Sequence, residues 1–253
     1  MSRFLSKASE SLLPYTPGEQ PQGRKFIKLN TNECPYPPSP KVAEAILAGY
    51  EEIAAGCGTA GAAGRAEKAD CGCDAGATEA GKMAEKVAQI MPPELANLRL
   101  YSDPEERVLI EAIAAHYRVG TNQVIAGNGS DEILGFAFRA FCDSEAPLQF
   151  ADLTYGFYPA LCGLYGIPFR VVPLEEDFTL NIEPYKNCGN NVIIANPNAP
   201  TGMNLPLSAI EEVAASNPDR VVMVDEAYVD FGGESCVSLL PKYENLVIIQ
   251  TFS

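Results

Sequence analysis

The sequence is poor in the residues on which several common classes of protein depend. Its one histidine, His116, and the lack of a Gly-x-Ser-x-Gly motif argue against a serine–histidine triad, and we expect His116 at the surface near a helix end. The sequence has only 18 Lys and Arg residues but 33 Asp and Glu residues, which gives a formal net charge of −15. This charge argues against nucleic-acid and anionic-membrane partners. No apolar run approaches the roughly 18 residues that a membrane span needs.

The amino terminus and the cysteines predict a cytoplasmic protein. Residues 1–20 contain no long apolar segment, so no secretory signal is expected. The eight cysteines are scattered, and several lie in apolar surroundings, where a free cysteine behaves as a small hydrophobic residue. A reducing compartment therefore fits the sequence best. A chain of 253 residues has room for one large domain, or one domain and a smaller one.

From Leu98 onward, helix-like and strand-like patterns alternate along the chain. Helices are predicted over residues 104–117, 131–141, 155–165 and 206–216. Strands are predicted over residues 123–126, 148–151, 169–173, 192–195, 221–225 and 246–250. This alternation indicates βαβ units and a mostly parallel sheet.

Residues 54–82 interrupt this pattern, because they consist mostly of Ala, Gly and Cys and show no periodic apolar face. We interpret them as a poorly packed insertion. Cys57, Cys71 and Cys73 lie there without a nearby histidine, which is too few ligands at unsuitable spacing for a metal site, and none is expected. A near match to a nucleotide-binding P-loop, residues 76–83, would make the chain a nucleotide hydrolase. It has Met83 where Ser or Thr should bind magnesium, and no strand precedes it.

Polar or glycine-rich stretches follow five of the predicted strands at their carboxyl ends. They are residues 127–131, 152–155, 196–202, 225–228 and 251–253. In open α/β sheets ligands bind in the crevice outside these strand ends, so one shared site is predicted.

The residues at these ends suit a ligand, but each also has a purely structural explanation. The glycine-rich start of a helix at 127–131 favours an anion such as phosphate, or forms a tight turn with Ser130 or Asp131 as the cap. Asp225 could be a metal ligand, a base, the partner of a ring nitrogen, or a turn cap. Tyr155 could stack on a flat ring or pack in the core, and Tyr228 could serve the site or hydrogen-bond within the fold.

Several motifs resemble those of a known enzyme family. Asn196-Pro-Asn-Ala-Pro-Thr-Gly202, Asp225-Glu-Ala-Tyr228 and Thr251-Phe-Ser253 resemble landmarks of the fold-type-I pyridoxal-phosphate-dependent aminotransferases. Lys28-Leu-Asn-Thr-Asn-Glu-Cys-Pro-Tyr36-Pro and Leu98-Arg-Leu-Tyr101-Ser-Asp-Pro104 are similar to segments of histidinol-phosphate aminotransferases. The motifs, in this order, cover nearly the whole chain outside residues 51–94.

The resemblance implies an α/β fold, the three-layer, mostly parallel sheet of the large domain of pyridoxal-phosphate-dependent transferases. Residues 1–50 would form an N-terminal arm and part of the small domain, and 51–96 the insertion and a linker. Residues 97–253 would form an incomplete cofactor-binding domain, with the C-terminal small domain missing.

The resemblance also implies roles for individual residues toward pyridoxal 5'-phosphate. Asp225 would pair with the ring nitrogen, Tyr228 would hydrogen-bond the ring's phenolate oxygen, and Tyr155 would stack on the ring. The phosphate would be held by Ser130, Asp131, Thr251, Ser253 and, from the neighbouring subunit of a homodimer, Tyr101. Tyr36 would bind substrate across the dimer.

Besides the insertion at residues 54–82, the sequence departs from the family pattern at two points. Ala199 stands where the family has asparagine, so Asn198 or Asn196 would supply that amide contact. The family's Schiff-base lysine would be the first residue after Ser253, so no catalytic residue is assigned, and we expect the chain as given to be inactive.

The implied activity is transamination between histidinol phosphate and 2-oxoglutarate in histidine biosynthesis. An aromatic aminotransferase or an amino-acid-phosphate decarboxylase would share the ring-binding residues and stays open. A non-catalytic fragment also stays open as an alternative.

Overall fold

The computed structural model describes residues 2–10, 12–13, 41–42, 45–49, 95, 98 and 100–252. It divides into two compact units, one of Met1–Tyr15 with Glu106–Ser253 and one of Thr16–Glu105. In the second unit, residues 41–42 and 45–49 are helical and Tyr101 is exposed. The insertion, its cysteines and the segment similar to a P-loop lie outside the described residues.

The first unit is built on a five-stranded parallel sheet. Its strands are β1 (Leu148–Ala151), β2 (Phe169–Val172), β3 (Asn191–Ala195), β4 (Val222–Asp225) and β5 (Leu246–Ile249). Their order is β2-β1-β3-β4-β5, which confirms the parallel α/β prediction. The register places Asp225 between Ala195 of β3 and Ile249 of β5, so these three strands end side by side.

The described part of this unit has one short helix that was not predicted, α1 (Lys7–Glu10). Its other helices agree with the predicted ones apart from their first residues, and are α2 (Arg107–Tyr117), α3 (Gly129–Phe141), α4 (Phe157–Tyr165) and α5 (Leu207–Ser216). Helix α2 begins at Arg107 and not at 104, because the backbone of Glu106 is left-handed, with φ 46°, and cannot continue a helix. The exposed His116 lies in its last turn, as expected.

The predicted strand at 123–126 is wrong. Thr121–Gln123 form a 3₁₀ helix, and the backbone of Val124 is extended, with φ −120° and ψ 135°. Within the described part of the chain, these residues pair with no strand of the sheet. A short apolar run fixes neither a helix nor a strand without a partner.

Helices cover both faces of the sheet, which gives the three layers that were expected. Alternate residues of a strand point to opposite faces. On β4, Met223 packs in the core formed with α3 and α4, whereas Val222 and Val224 pack in the core formed with α5. Asp225 lies two residues after Met223, so its side chain points to the same face of the sheet, the one that packs against α3 and α4. Among the described residues, no helix has the length and apolar character to cross a membrane.

The amino terminus packs on the far end of α3. The Ser6 backbone N–H donates to the carbonyl of Ala140 at 2.6 Å, and its hydroxyl donates to the carbonyl of Arg139 at 2.9 Å. The Lys7 backbone N–H donates to Asp143 at 2.8 Å. Residues before the insertion therefore cap the carboxyl end of a helix whose other end begins at the candidate site.

In the core formed with α5, a buried hydroxyl that has no partner among the described residues leads to a stability prediction. Tyr185 is fully buried, and its hydroxyl has no hydrogen-bond partner among the described residues. Burying a hydroxyl without a partner costs about 1 kcal/mol or more. We expect Tyr185→Phe to raise the free energy of unfolding by about 1 kcal/mol in urea denaturation. A loss of stability would show that the hydroxyl has a partner.

Candidate functional site

Hydrogen bonds connect the segments that follow the strands into one crevice at the carboxyl edge of the sheet. The Asn198 side chain, after β3, donates to the carbonyl of Leu153, after β1, at 2.9 Å. The hydroxyl of Tyr155, also after β1, donates to Asp131 in the first turn of α3 at 2.9 Å. The Gln250 side chain, after β5, donates to Glu226, after β4, at 2.7 Å. These bonds link the stretch after β1 to the stretch after β3 and to the start of α3, and the stretch after β4 to the end of β5.

Asp225 is the buried acid of this crevice. It ends β4 with 4% of its surface exposed. The hydroxyl of Tyr158, on α4, donates to Oδ2 of Asp225 at 2.7 Å, and the backbone N–H of Ala227 donates to Oδ1 at 3.1 Å. Both oxygens thus accept one hydrogen bond from the fold, which fixes the plane of the carboxyl group.

Burial raises the pKa of the Asp225 carboxyl above its ordinary value. The hydrogen bonds from Tyr158 and Ala227 act in the opposite direction, because they stabilise the ionised form, and the charges of Asp131 and Glu226 raise the pKa again. A desolvated carboxylate in acidic surroundings is suited to pair with a cationic or proton-bearing group of a ligand.

Tyr155 and Asp131 lie beside this acid. The rings of Tyr155 and Tyr158 meet edge to face with their centroids 5.7 Å apart. Desolvation raises the pKa of Tyr155, and the charges of Asp131 and Asp225 and the phenol of Tyr228 contribute in the same direction. The structure therefore brings Asp131, Tyr155, Asp225 and Tyr228 into one electrostatic neighbourhood.

The start of α3 and the end of β5 line a common cavity of about 660 Å³. Gly127, Asn128 and Gly129 line it together with Gln250, Thr251 and Phe252, whereas Tyr155, Asp225 and Tyr228 lie outside its lining. The backbone of Gly129 has φ +77°, which favours glycine where the chain turns into the helix. Ser130 and Asp131 follow in the first turn, where helix N–H groups favour an anion.

Glu226 is a second buried carboxylate and points the other way from Asp225, as alternation along a strand requires. It is 1% exposed. Its oxygens accept hydrogen bonds from the Ser235 hydroxyl at 2.8 Å, the Cys236 backbone N–H at 2.6 Å and the Gln250 side chain at 2.7 Å. It therefore joins the end of β5 to the 3₁₀ helix Cys236–Leu239, and positions the chain that leads to Thr251.

The side chains of the two candidate asparagines are already hydrogen-bonded within the fold. The buried Asn198 donates its side-chain amide to Leu153 and to the Thr201 hydroxyl, the latter at 3.1 Å. Asn196 exchanges hydrogen bonds with the backbone of Leu205, at 2.8 and 3.2 Å. Contact between a ligand and the amide of Asn198 would compete with these bonds, so its assignment stays a prediction.

The roles of Tyr36, Ser253 and Tyr101 stay predictions. Tyr36 and Ser253 lie outside the described residues, and Tyr101 belongs to the second unit. Tyr228 is 49% exposed and begins the 3₁₀ helix Val229–Phe231, so its hydroxyl is accessible at the crevice.

Sequence reasoning missed Tyr158 and Glu226. Tyr158 lies three residues after Tyr155, the spacing that places two side chains on one side of a helical turn. Glu226 follows an acid at a strand end, so alternation would have assigned it to the opposite face. Both signals are present in the sequence. Each residue could nevertheless be explained by its neighbours, the apolar residues of a predicted helix for Tyr158 and the acid Asp225 for Glu226.

The fold and the crevice define a parallel α/β protein with a ligand site at the carboxyl ends of its strands. The sequence model described as "Aminotransferase class I and II" matches residues 77–253. The chain therefore belongs to the class I and II aminotransferase family.

Curated relatives extend the similarity over the whole chain. The chain is 44% identical over 254 residues to histidinol-phosphate aminotransferase 2 of Dechloromonas aromatica, and 44% identical over 253 residues to histidinol-phosphate aminotransferase of Pseudomonas putida. Each match covers 100% of this chain and 60% of the relative, so the chain spans about three fifths of the length of these relatives.

Solved structures share the fold. Histidinol-phosphate aminotransferase from Sinorhizobium meliloti, in complex with pyridoxal-5'-phosphate, superposes with a TM-score of 0.58 at 23% identity, over 66% of this chain and 48% of that one. An aminotransferase from Mycobacterium tuberculosis gives a TM-score of 0.55 at 21% identity, over 91% of this chain and 60% of that one. At these identities the likeness shows the fold alone.

Proposed function

We propose that this chain provides the cofactor-binding part of a pyridoxal-phosphate-dependent aminotransferase. The observation that carries the proposal is Asp225, a buried carboxylate fixed at a strand end by Tyr158, next to the ring of Tyr155 and the start of α3. The family membership and the curated relatives support the same class of reaction.

The residues present fit the chemical groups of this cofactor. A protonated pyridine nitrogen needs a buried acceptor, and Asp225 offers an oriented carboxylate. A phosphate needs backbone donors, and the first turn of α3 at Ser130 and Asp131 offers them. The backbone N–H of Asn128 is already bound to Glu132 at 2.6 Å. A flat ring needs an apolar face, which Tyr155 can provide.

In this proposal each side chain has one task. Asp225 keeps the ring nitrogen protonated, Tyr155 lies against the ring, and the accessible hydroxyl of Tyr228 binds the ring's phenolate oxygen. Ser130 and Thr251 hold the phosphate, with Asp131 orienting Tyr155 through its hydrogen bond. When bound, the cofactor supplies an electron sink for removal of a proton next to the substrate's amino group.

For the whole protein we propose transamination between histidinol phosphate and 2-oxoglutarate, in histidine biosynthesis. The support is the name shared by the curated relatives at 44% identity. We propose a homodimer for the whole protein, with Tyr101 and Tyr36 contributing to the partner's site. An assay of the whole protein should form glutamate from 2-oxoglutarate faster with histidinol phosphate than with phenylalanine, and equal rates would contradict this choice of substrate.

Binding of vitamin B6 compounds tests the cofactor site directly. Pyridoxine 5'-phosphate and pyridoxine differ only in the phosphate, and neither carries an aldehyde that could react with surface lysines. We expect calorimetric titration of the 253-residue chain to give a dissociation constant at least about tenfold lower for the phosphate ester, because charge-assisted hydrogen bonds contribute about 1.5–3 kcal/mol each. Equal affinities, or no binding, would contradict the proposed site.

A further inference from the structure

We propose that Tyr158 is a positioning residue of this site. Its hydroxyl holds the Asp225 carboxylate in the orientation and charge state in which it pairs with the ring nitrogen of the cofactor. The inference rests on the proposed function and deepens it, since neither the sequence motifs nor the family match assigns a role to Tyr158.

The first argument is that the hydroxyl of Tyr158 has little freedom to be elsewhere. The side chain is fully buried. Three aromatic rings surround it, with centroids 6.1 Å away at Phe138, 5.9 Å at Phe150 and 5.7 Å at Tyr155. Aromatic rings packed in this way fix the ring plane, and hence the position of the hydroxyl at its edge. At 2.7 Å from Oδ2, that hydroxyl is a short and rigid donor to Asp225.

The second argument concerns the charge of Asp225. The titratable groups around it are Tyr158 and Tyr155 on the α4 side, Asp131 on α3, and Glu226 on its own strand end. Burial and the two acids favour its neutral form. The hydroxyl of Tyr158 favours the ionised form, because an ionised carboxylate accepts a stronger hydrogen bond than a neutral one.

Removing the hydroxyl has a defined consequence. In a Tyr158→Phe variant the ring packing is kept, and of the described donors to Asp225 the backbone N–H of Ala227 remains. Its pKa should therefore rise further, since burial and the neighbouring acids are then opposed by one hydrogen bond fewer. Because the ionised form pairs with the ring nitrogen, cofactor binding should weaken as the pH falls through this pKa, and should do so from a higher pH in the variant.

The test compares the wild-type chain with Tyr158→Phe in two measurements. The carboxyl ¹³C shift of Asp225, followed by NMR against pH without ligand, should give a higher pKa in the variant. Calorimetry with pyridoxine 5'-phosphate at neutral pH should give a dissociation constant about tenfold higher in the variant, with the difference shrinking at higher pH.

Tyr185→Phe is the matched control. It also removes the hydroxyl of a fully buried tyrosine, but that hydroxyl has no partner among the described residues. It should change neither the Asp225 pKa nor the affinity. A general effect of losing a buried hydroxyl would change both variants alike and would overturn the inference.

The outcomes separate this inference from the proposed function. If wild type binds pyridoxine 5'-phosphate and the Asp225 pKa is unchanged in Tyr158→Phe, the inference is overturned and the function stands. If the pKa rises but wild type binds no ligand, the function fails, and the role of Tyr158 toward a cofactor fails with it. Should Tyr158→Phe not fold, the hydroxyl proton of Tyr158 in wild type decides the matter, because its NMR signal must follow the titration of Asp225.

Discussion

Replacing Asp225 by asparagine is expected to weaken binding of pyridoxine 5'-phosphate by at least about 30-fold. Truncating one partner of a buried, hydrogen-bonded charge pair costs about 2–5 kcal/mol, and about 1.4 kcal/mol corresponds to a factor of ten. Asparagine has nearly the shape of aspartate but has no charge with which to keep a ring nitrogen protonated. Calorimetric titration of the wild-type and variant chains measures the difference.

The same substitution should leave the fold intact, which separates binding from stability. The side-chain oxygen of asparagine can still accept the hydrogen bond from the Tyr158 hydroxyl. Asp219→Asn is the control, because that side chain is 82% exposed and its ion pair with Arg3 lies at the surface. An equal loss of affinity in both variants, or none in Asp225→Asn, would refute the role of Asp225.

Glu226→Ala is expected to lower the free energy of unfolding by about 3 kcal/mol or more. It removes the acceptor for the Ser235 hydroxyl, the Cys236 N–H and the Gln250 amide at once. Each buried donor left without a partner costs about 1–3 kcal/mol. Glu226→Gln should cost less, because one side-chain oxygen remains to accept a hydrogen bond. Urea denaturation of the three proteins checks this order.

Glu244→Ala is the surface control for that series, since Glu244 is exposed and lies just before β5. It should leave the free energy of unfolding within about 0.5 kcal/mol of wild type. Because Glu226 also holds the end of β5, its loss should loosen the segment at Thr251 and weaken binding of the phosphate ester. If Glu226→Ala were as stable as Glu244→Ala, the three hydrogen bonds to Glu226 would not be present in the folded protein.

The sheet was predictable because its strands are short apolar runs bounded by turn-forming residues. The runs at 148–151 and 192–195 became β1 and β3 almost residue for residue. The start of α2 was not predictable, since the left-handed backbone at Glu106 leaves no trace in a pattern of apolar residues. The run at 123–126 has the same composition as a strand, and only the absence of a partner among the described residues distinguishes it.

The site was predictable to the level of which strand ends meet. Asp225 and Tyr155 followed from the rule that parallel strands end at one edge of the sheet. The start of α3 was assigned to that edge through a strand at 123–126 that is not found among the described residues. What the sequence could not supply was which group holds each of these residues. The hydrogen bond from Tyr158 to Asp225 joins residues 67 positions apart, and depends on how α4 packs on β4. Such long-range contacts are set by packing, for which a single sequence has no local signal.

The most direct test of the central claim is a crystal structure of the chain with pyridoxal 5'-phosphate. The account predicts the ring nitrogen within hydrogen-bonding distance of the Asp225 carboxylate, the ring against Tyr155, and the phosphate at the start of α3 beside Thr251. A cofactor bound elsewhere, or one in this crevice whose ring nitrogen faces away from Asp225, would contradict it.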